Sequence, residues 1–127
     1  MKKLAAGLGP VLLLATLVFA APKPKTETFA GEIMDSQCAA TGSHASMLKM
    51  SGMGDKDPND PMAKKMCTQK CVQMGGKYVL YDAAKKAVHQ LNDQDKAREF
   101  AGQKVKITGT YDEASKTIHI TTIETAS

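Results

Sequence analysis

Two segments near the end of the chain alternate hydrophobic and polar residues, a pattern typical of strands with one buried face. These segments are residues 104–111 and 117–124. In the second segment Ile123 breaks the alternation set by the isoleucines before it. The break predicts a β-bulge near Thr121 or Thr122.

Three shorter runs predict the remaining strands, at residues 28–34, 77–82 and 87–91. The last two flank a polar turn and therefore form a predicted hairpin. A short helical or irregular segment follows at 93–101. Gly31 lies inside the first strand, where a glycine is typical of a bulge or of close approach by another backbone.

The segment 35–76 shows no strand pattern and contains all three cysteines and most of the methionines. Residues 43–50 form a predicted short helix. A longer helix is predicted to begin after Asp60, an N-cap residue followed by proline, and to end at Gly75. Four residues recur on one face of this helix: Ala63, Cys67, Cys71 and Met74.

The order of these elements predicts a mainly β protein of the α+β class. We expect a small five-stranded Greek-key barrel of the OB type, with the helical insert 35–76 between strands 1 and 2. A plain five-stranded antiparallel sheet is the alternative. The 127 residues allow a single domain, expected at 28–127, and exclude an eight-fold α/β barrel, which needs about 250 residues.

The N-terminus has the pattern of a secretory signal peptide, residues 1–20. Lys2 and Lys3 precede an apolar stretch that ends at Ala20, where we expect cleavage. Residues 21–27 read as a flexible leader. The protein is therefore predicted to be exported, either to the periplasm or into the medium, and no later segment is apolar enough to predict a membrane span in the mature chain.

Charge and motifs argue against several classes of function. The net charge of +4 falls to +2 when Lys2 and Lys3 are removed with the signal peptide, which does not favour nucleic-acid binding. Tyr78 and Tyr81 are three positions apart in a predicted strand, so their side chains point to opposite faces and cannot stack together on one ligand. His89 and His119 are predicted at the surface or on an edge strand, without a ligand role. We expect an envelope or extracellular partner of unknown identity.

Four residues are candidates for metal binding: Cys38, His44, Cys67 and Cys71. Thiolate and imidazole are the ligands that zinc and copper prefer. The C-x3-C spacing places two thiols on one helical face with Cβ atoms about 5–6 Å apart, a separation too long for a disulfide between them. The predicted function is a small exported binding module for zinc or copper.

A disulfide is the alternative use of these cysteines. A bond from Cys38 to Cys67 or Cys71 would link the insert to the first strand and stabilise a small exported domain. The protein would then be a structural or interaction protein of the cell envelope without a cofactor. Nucleophilic chemistry by an unpaired thiol is a third hypothesis, but no orienting group is recognisable, and we predict no enzyme activity.

The methionines allow two interpretations. Met47, Met50 and Met53 follow an M-x2-M-x2-M pattern, and thioether sulfur favours Cu(I). Methionine also fills gaps in cores that are poor in aromatic residues, and this packing interpretation is favoured. Three further methionines follow in the insert, at Met62, Met66 and Met74.

Several parts of the chain resemble a family of small secreted bacterial proteins with OB-like folds. The resemblance covers nearly the whole mature chain and includes the Asp-Ser-x-Cys run in GEIMDSQCA, the later His44, the Cys-x3-Cys in CTQKCVQMGGKYVLYD and the ending FAGQKVKITGTYDEASKTIHI. It implies export and an OB-like fold, and it implies no mechanism because the family has no established activity.

Overall fold

The computed structural model describes residues 17–21 and 23–127. Most of the predicted signal peptide therefore lies outside the described residues. Within the described part of the chain, no helix combines the length and the apolar character needed to cross a bilayer. The elements are β1 (Thr26–Asp35), α1 (Ser36–Thr41), α2 (Ala45–Met50), α3 (Pro61–Gln73), β2 (Tyr78–Asp82), β3 (Ala87–Leu91), α4 (Gln94–Arg98), β4 (Lys104–Asp112) and β5 (Thr117–Thr125).

The five strands form one mixed sheet whose pairings close in a ring, in the order β1-β2-β3-β5-β4 with β4 returning to β1. The β3–β5 pair is parallel, with Leu91 opposite Ile118. The other four pairs are antiparallel. The mainly β, α+β class is confirmed, and the alternative of a plain antiparallel sheet is wrong because of the parallel pair.

The β-bulge predicted in the last strand is confirmed. Thr108 lies opposite Thr122, but the next residue, Gly109, lies opposite Ile120. Thr121 is thus the extra residue of a bulge in β5, where the break in alternation predicts it.

The close approach predicted at Gly31 is confirmed. A Cβ added there would lie 2.4 Å from the carbonyl oxygen of Tyr81, the neighbouring backbone in β2. Any side chain at this position would force β1 and β2 apart, which explains a glycine inside a strand.

Two hydrophobic clusters lie on opposite faces of the β1–β2 pair. Ile33 and its partner Leu80 point into the ring, whereas Met34 and its partner Val79 point outward against the insert. This alternation follows from the two-residue period of a strand. The outer cluster is completed by residues of the insert: Cys38, Ala39, Leu48, Ala63, Cys67 and Cys71.

The helices of the insert agree only in part with the predictions. Helix α3 begins as predicted, because the Asp60 side chain accepts a hydrogen bond of 2.8 Å from the amide of Ala63. The helix predicted at 43–50, with Ser43 as its N-cap, begins one residue later, because His44 is the N-cap and Ala45 is the first helical residue. Helix α1 was not predicted.

The packing interpretation is wrong for four methionines, since their side chains are exposed. Only Met47 and Met53 of the insert are partly buried against the outer cluster. The exposed fractions are 79% for Met50, 67% for Met62, 49% for Met66 and 61% for Met74. Met74 therefore does not share the buried face of α3.

The surface prediction holds for His119 but is wrong for His89. His119 is exposed. His89 is half-buried on β3, which has a neighbour on each side. Its ring lies 5.7 Å from that of Phe29 and 5.3 Å from that of Tyr111. Burial lowers the pKa of His89.

Candidate metal centre

Asp35 is the point at which β1 passes into α1. One of its carboxylate oxygens, Oδ2, caps the helix by accepting hydrogen bonds from the backbone amides of Gln37 at 2.9 Å and Cys38 at 3.1 Å. The residue is fully buried. Its other oxygen, Oδ1, is also buried and has no hydrogen-bond partner among the described residues. The cap thus holds a carboxylate with one unused oxygen beside the Cys38 thiol.

His44 is brought to the same place by the turn that follows α1. Gly42 ends that helix in the left-handed region, with φ of 71°. His44 then lies at the start of α2 and is 3% exposed. Its Nε2 is 2.8 Å from Oε1 of Glu32. Its Nδ1 is buried and has no partner within the described part of the chain.

Cys67 comes from the buried face of α3. Its Sγ lies 3.9 Å from the Sγ of Cys38. Two thiolates bound to one tetrahedral zinc ion stand about 3.8 Å apart, given Zn–S bonds of about 2.3 Å. A disulfide needs about 2.05 Å. The three cysteines are free in this structure, so the disulfide required by the alternative hypothesis is not formed.

Four donor groups therefore meet at one buried point, which we call the buried donor cluster: Asp35, Cys38, His44 and Cys67. Their ligand atoms all lie within 4.8 Å of one another. Three of the four predicted ligands are thus brought together. The fourth, Cys71, is buried one turn further along α3 and is outside this group, in which Asp35 supplies the remaining donor.

The surroundings of the thiols favour their protonated form in the absence of a cation. Burial is the main cause that raises the pKa of Cys38 and of Cys67, and the nearby Asp35 carboxylate raises both further. Burial followed by the charge of Asp35 raises the pKa of Cys71 to about 12. A metal ion that binds such thiols must displace their protons.

Glu32 forms an outer layer behind His44. Its Oε1 contacts His44, and its Oε2 accepts a hydrogen bond of 2.8 Å from Nζ of Lys64. Burial by itself would raise the pKa of Glu32, but the hydrogen bonds and charges of His44 and Lys64 hold it below its ordinary value. Glu32 is therefore ionised at neutral pH and fixes the orientation of the imidazole.

Solvent reaches this outer layer through a cavity of about 440 Å³. Glu32, His44 and Lys64 form part of its wall, together with Met34 and Tyr81. His44 belongs both to this wall and to the buried donor cluster, so the cavity provides a short path for an ion to the cluster.

Asp35 and Glu32 were not predicted as functional residues, although the sequence contains a signal for each. Asp35 stands three residues before Cys38, the spacing at which an N-cap carboxylate meets the first turn of a helix. Glu32 shares a strand face with the buried Met34. A carboxylate on the face that packs against a cysteine-rich insert is a reason to suspect a polar site.

No protein-family model, curated protein or solved structure matches this chain.

Proposed function

We propose that this protein is a small exported binding module that holds a zinc or copper ion in the buried donor cluster. The observation that carries the proposal is that two residues of this cluster, Asp35 and His44, each have a buried polar atom without a partner among the described residues, Oδ1 and Nδ1. An unsatisfied buried polar group costs about 1–3 kcal/mol. One bound cation would satisfy both atoms and would also neutralise the Asp35 charge.

The hydrogen bond on the far side of His44 supports the same conclusion. A histidine that binds metal through one nitrogen usually donates its other ring N–H to a carboxylate. His44 Nε2 has that partner in Glu32, which leaves Nδ1 for the ion. Lys64 in turn holds Glu32 in place.

The donor chemistry ranks the two metals. One carboxylate, one imidazole and two thiolates form a four-ligand set of the kind that zinc accepts in tetrahedral sites. Copper(I) favours thiolate and imidazole but gains less from a carboxylate. We expect zinc to be held more tightly than copper in the buried donor cluster.

The predicted OB-like fold agrees with the location of the buried donor cluster. We propose that the closed ring of strands is an OB-like Greek-key barrel, since the chain crosses from β3 to β4 and places β5 next to β3. The insert with α1, α2 and α3 then occupies the loop between strands 1 and 2, a loop that binds ligands in many OB folds.

We propose binding rather than catalysis. Raised pKa values leave few thiolates at neutral pH, and the thiolate is the nucleophilic form of cysteine. The export that we propose is supported by the residues at the N-terminus, 1–20, and places the protein in the periplasm or the medium.

Intact-mass measurement tests the proposed function. Protein purified from the export compartment without chelator should carry one metal ion in its native mass and lose it on denaturation, with three free thiols remaining. A mass two hydrogens light with no metal bound would instead establish the disulfide and overturn the proposal.

Two conservative variants identify the fourth ligand. Asp35→Asn keeps the helix cap, because asparagine is an equally good N-cap residue, but it loses the negative oxygen; we expect it to lose metal. Cys71→Ser is the matched control and should retain metal. The reverse result would show that the ion binds the cysteine set predicted from the sequence and would exclude Asp35 as a ligand.

A further inference from the structure

A second concave surface is lined by residues of the insert alone. It is a cavity of about 370 Å³. Three methionines contribute to its wall: Met53 from the loop after α2, and Met62 and Met66 from α3. The other lining residues are Asp55, Lys56, Asp57, Asp60 and Ala63.

Packing does not account for the two methionines of α3. Met62 is 67% exposed and Met66 is 49% exposed. They are four residues apart on one helix, so their side chains are neighbours on one face. Large apolar side chains gathered at an exposed concave surface indicate a binding site more often than a structural need. Met53, from the loop after α2, is the third methionine of the lining.

The chemistry of the lining favours a soft cation. Thioether sulfur is an uncharged, polarisable donor that selects Cu(I) over hard ions. The three aspartates exceed the single lysine in charge, so the cavity attracts cations. Calcium is disfavoured, because three of the side chains that would surround it offer sulfur rather than oxygen.

We propose that this cavity is a second metal site, which binds copper(I) through the thioethers of Met53, Met62 and Met66. It is separate from the buried donor cluster, and neither site depends on the other for its ligands. Binding is a simple ligand exchange in which copper(I) loses solvent or a carrier ligand. No electron and no proton is transferred, since a thioether carries no proton.

The test uses silver(I) nitrate, a redox-stable ion with the ligand preference of copper(I), and the protein labelled with ¹³C at the methionine methyl groups. After the thiols are saturated with silver, the methyl resonances of Met53, Met62 and Met66 should shift together and saturate. Those of Met50 and Met74, which are also exposed but lie outside the cavity, should not move. An equal shift of all five, or no shift of the three, would overturn the proposal.

Matched variants separate this proposal from the proposed function. Met62→Leu and Met66→Leu conserve side-chain volume and should abolish the silver-induced shifts at the remaining cavity methionines. Met50→Leu and Met74→Leu should leave them unchanged. Zinc content at the buried donor cluster should be the same in all four variants. Loss of zinc in Met62→Leu would contradict the proposal that the two sites have separate ligands.

Discussion

The two hydrophobic clusters differ in the kind of atoms that they bury. The cluster inside the ring is mainly aliphatic, with residues such as Ile33, Leu80 and Ile107 fully buried. The cluster beneath the insert contains all three cysteines and lies beside the buried polar residues. In the described part of the chain, three polar residues are buried: Asp35, His44 and Thr68. Each of them has a side-chain atom without a hydrogen-bond partner among the described residues.

This difference indicates that the ring and the insert have different roles. The strands of the ring pair on both sides, so the ring has no free edge among the described elements. In the insert, α1 and α2 have six residues each, and isolated helices of that length are not stable in water. The ring therefore supplies stability, whereas three of the four buried side-chain atoms without a partner in the described part of the chain lie in the segment 35–76.

The largest effect should come from a cavity in the ring. Ile107→Ala removes a fully buried side chain and should lower the free energy of unfolding by about 2–5 kcal/mol. Urea unfolding of the metal-free protein measures this loss. Zinc should stabilise the variant and the unmodified protein by the same amount; a larger stabilisation of the variant would show that ring and insert are not distinct in this sense.

The next effect is the stabilisation of the insert by metal. Zinc at one hundred times its dissociation constant should stabilise the fold by about 2.7 kcal/mol. Zinc should suppress local opening of α1, α2 and α3, so amide hydrogen exchange should become slower in these helices. In β4 and β5 exchange should become slower only because global unfolding is rarer. Protection confined to β4 and β5 would contradict the assignment of the site to the insert.

A smaller effect is expected from the outer layer of the site. Glu32→Gln removes the charge that orients His44 and should weaken zinc binding by about 10–100-fold. Competition against a chromophoric chelator measures this affinity. Glu27→Gln, a change on an exposed residue of the same strand, is the control and should bind zinc as the unmodified protein does. Equal affinities in the two variants would exclude Glu32 from the site.

The smallest effect concerns pH in the metal-free protein. Because the pKa of Glu32 is lowered from 4.5 in the folded state, its contribution to stability is present above pH 4.5 and is lost as the pH falls through the folded-state value. Urea unfolding at a series of acidic pH values should therefore show a steeper loss in the unmodified protein than in Glu32→Gln. Parallel curves would show that Glu32 is not stabilised by His44 and Lys64.

The fold was predictable where the signal is local. Alternating residues predict the strands, a break in alternation predicts the extra residue at Thr121, and an aspartate before a proline predicts the start of α3 at Asp60. Helix α1 was missed because it has only six residues and follows a strand without a turn.

The candidate site was only partly predictable, because much of it depends on contacts between distant residues. Cys38, His44 and Cys67 were suggested by residue type alone. The contact between Glu32 and Lys64 spans 32 positions in the chain, and no local pattern indicates it. The exposure of Met62 and Met66 also depends on how α3 lies against the sheet, which the sequence pattern does not show.

Helix α3 presents its two neighbours Met66 and Cys67 to different surroundings, one exposed and one buried. A cation bound by either residue restrains the same helix. If both sites bind as proposed and α3 couples them, the factor by which copper(I) changes the affinity for zinc must equal the factor by which zinc changes the affinity for copper(I). The supply of one metal would then alter the occupancy of the site for the other.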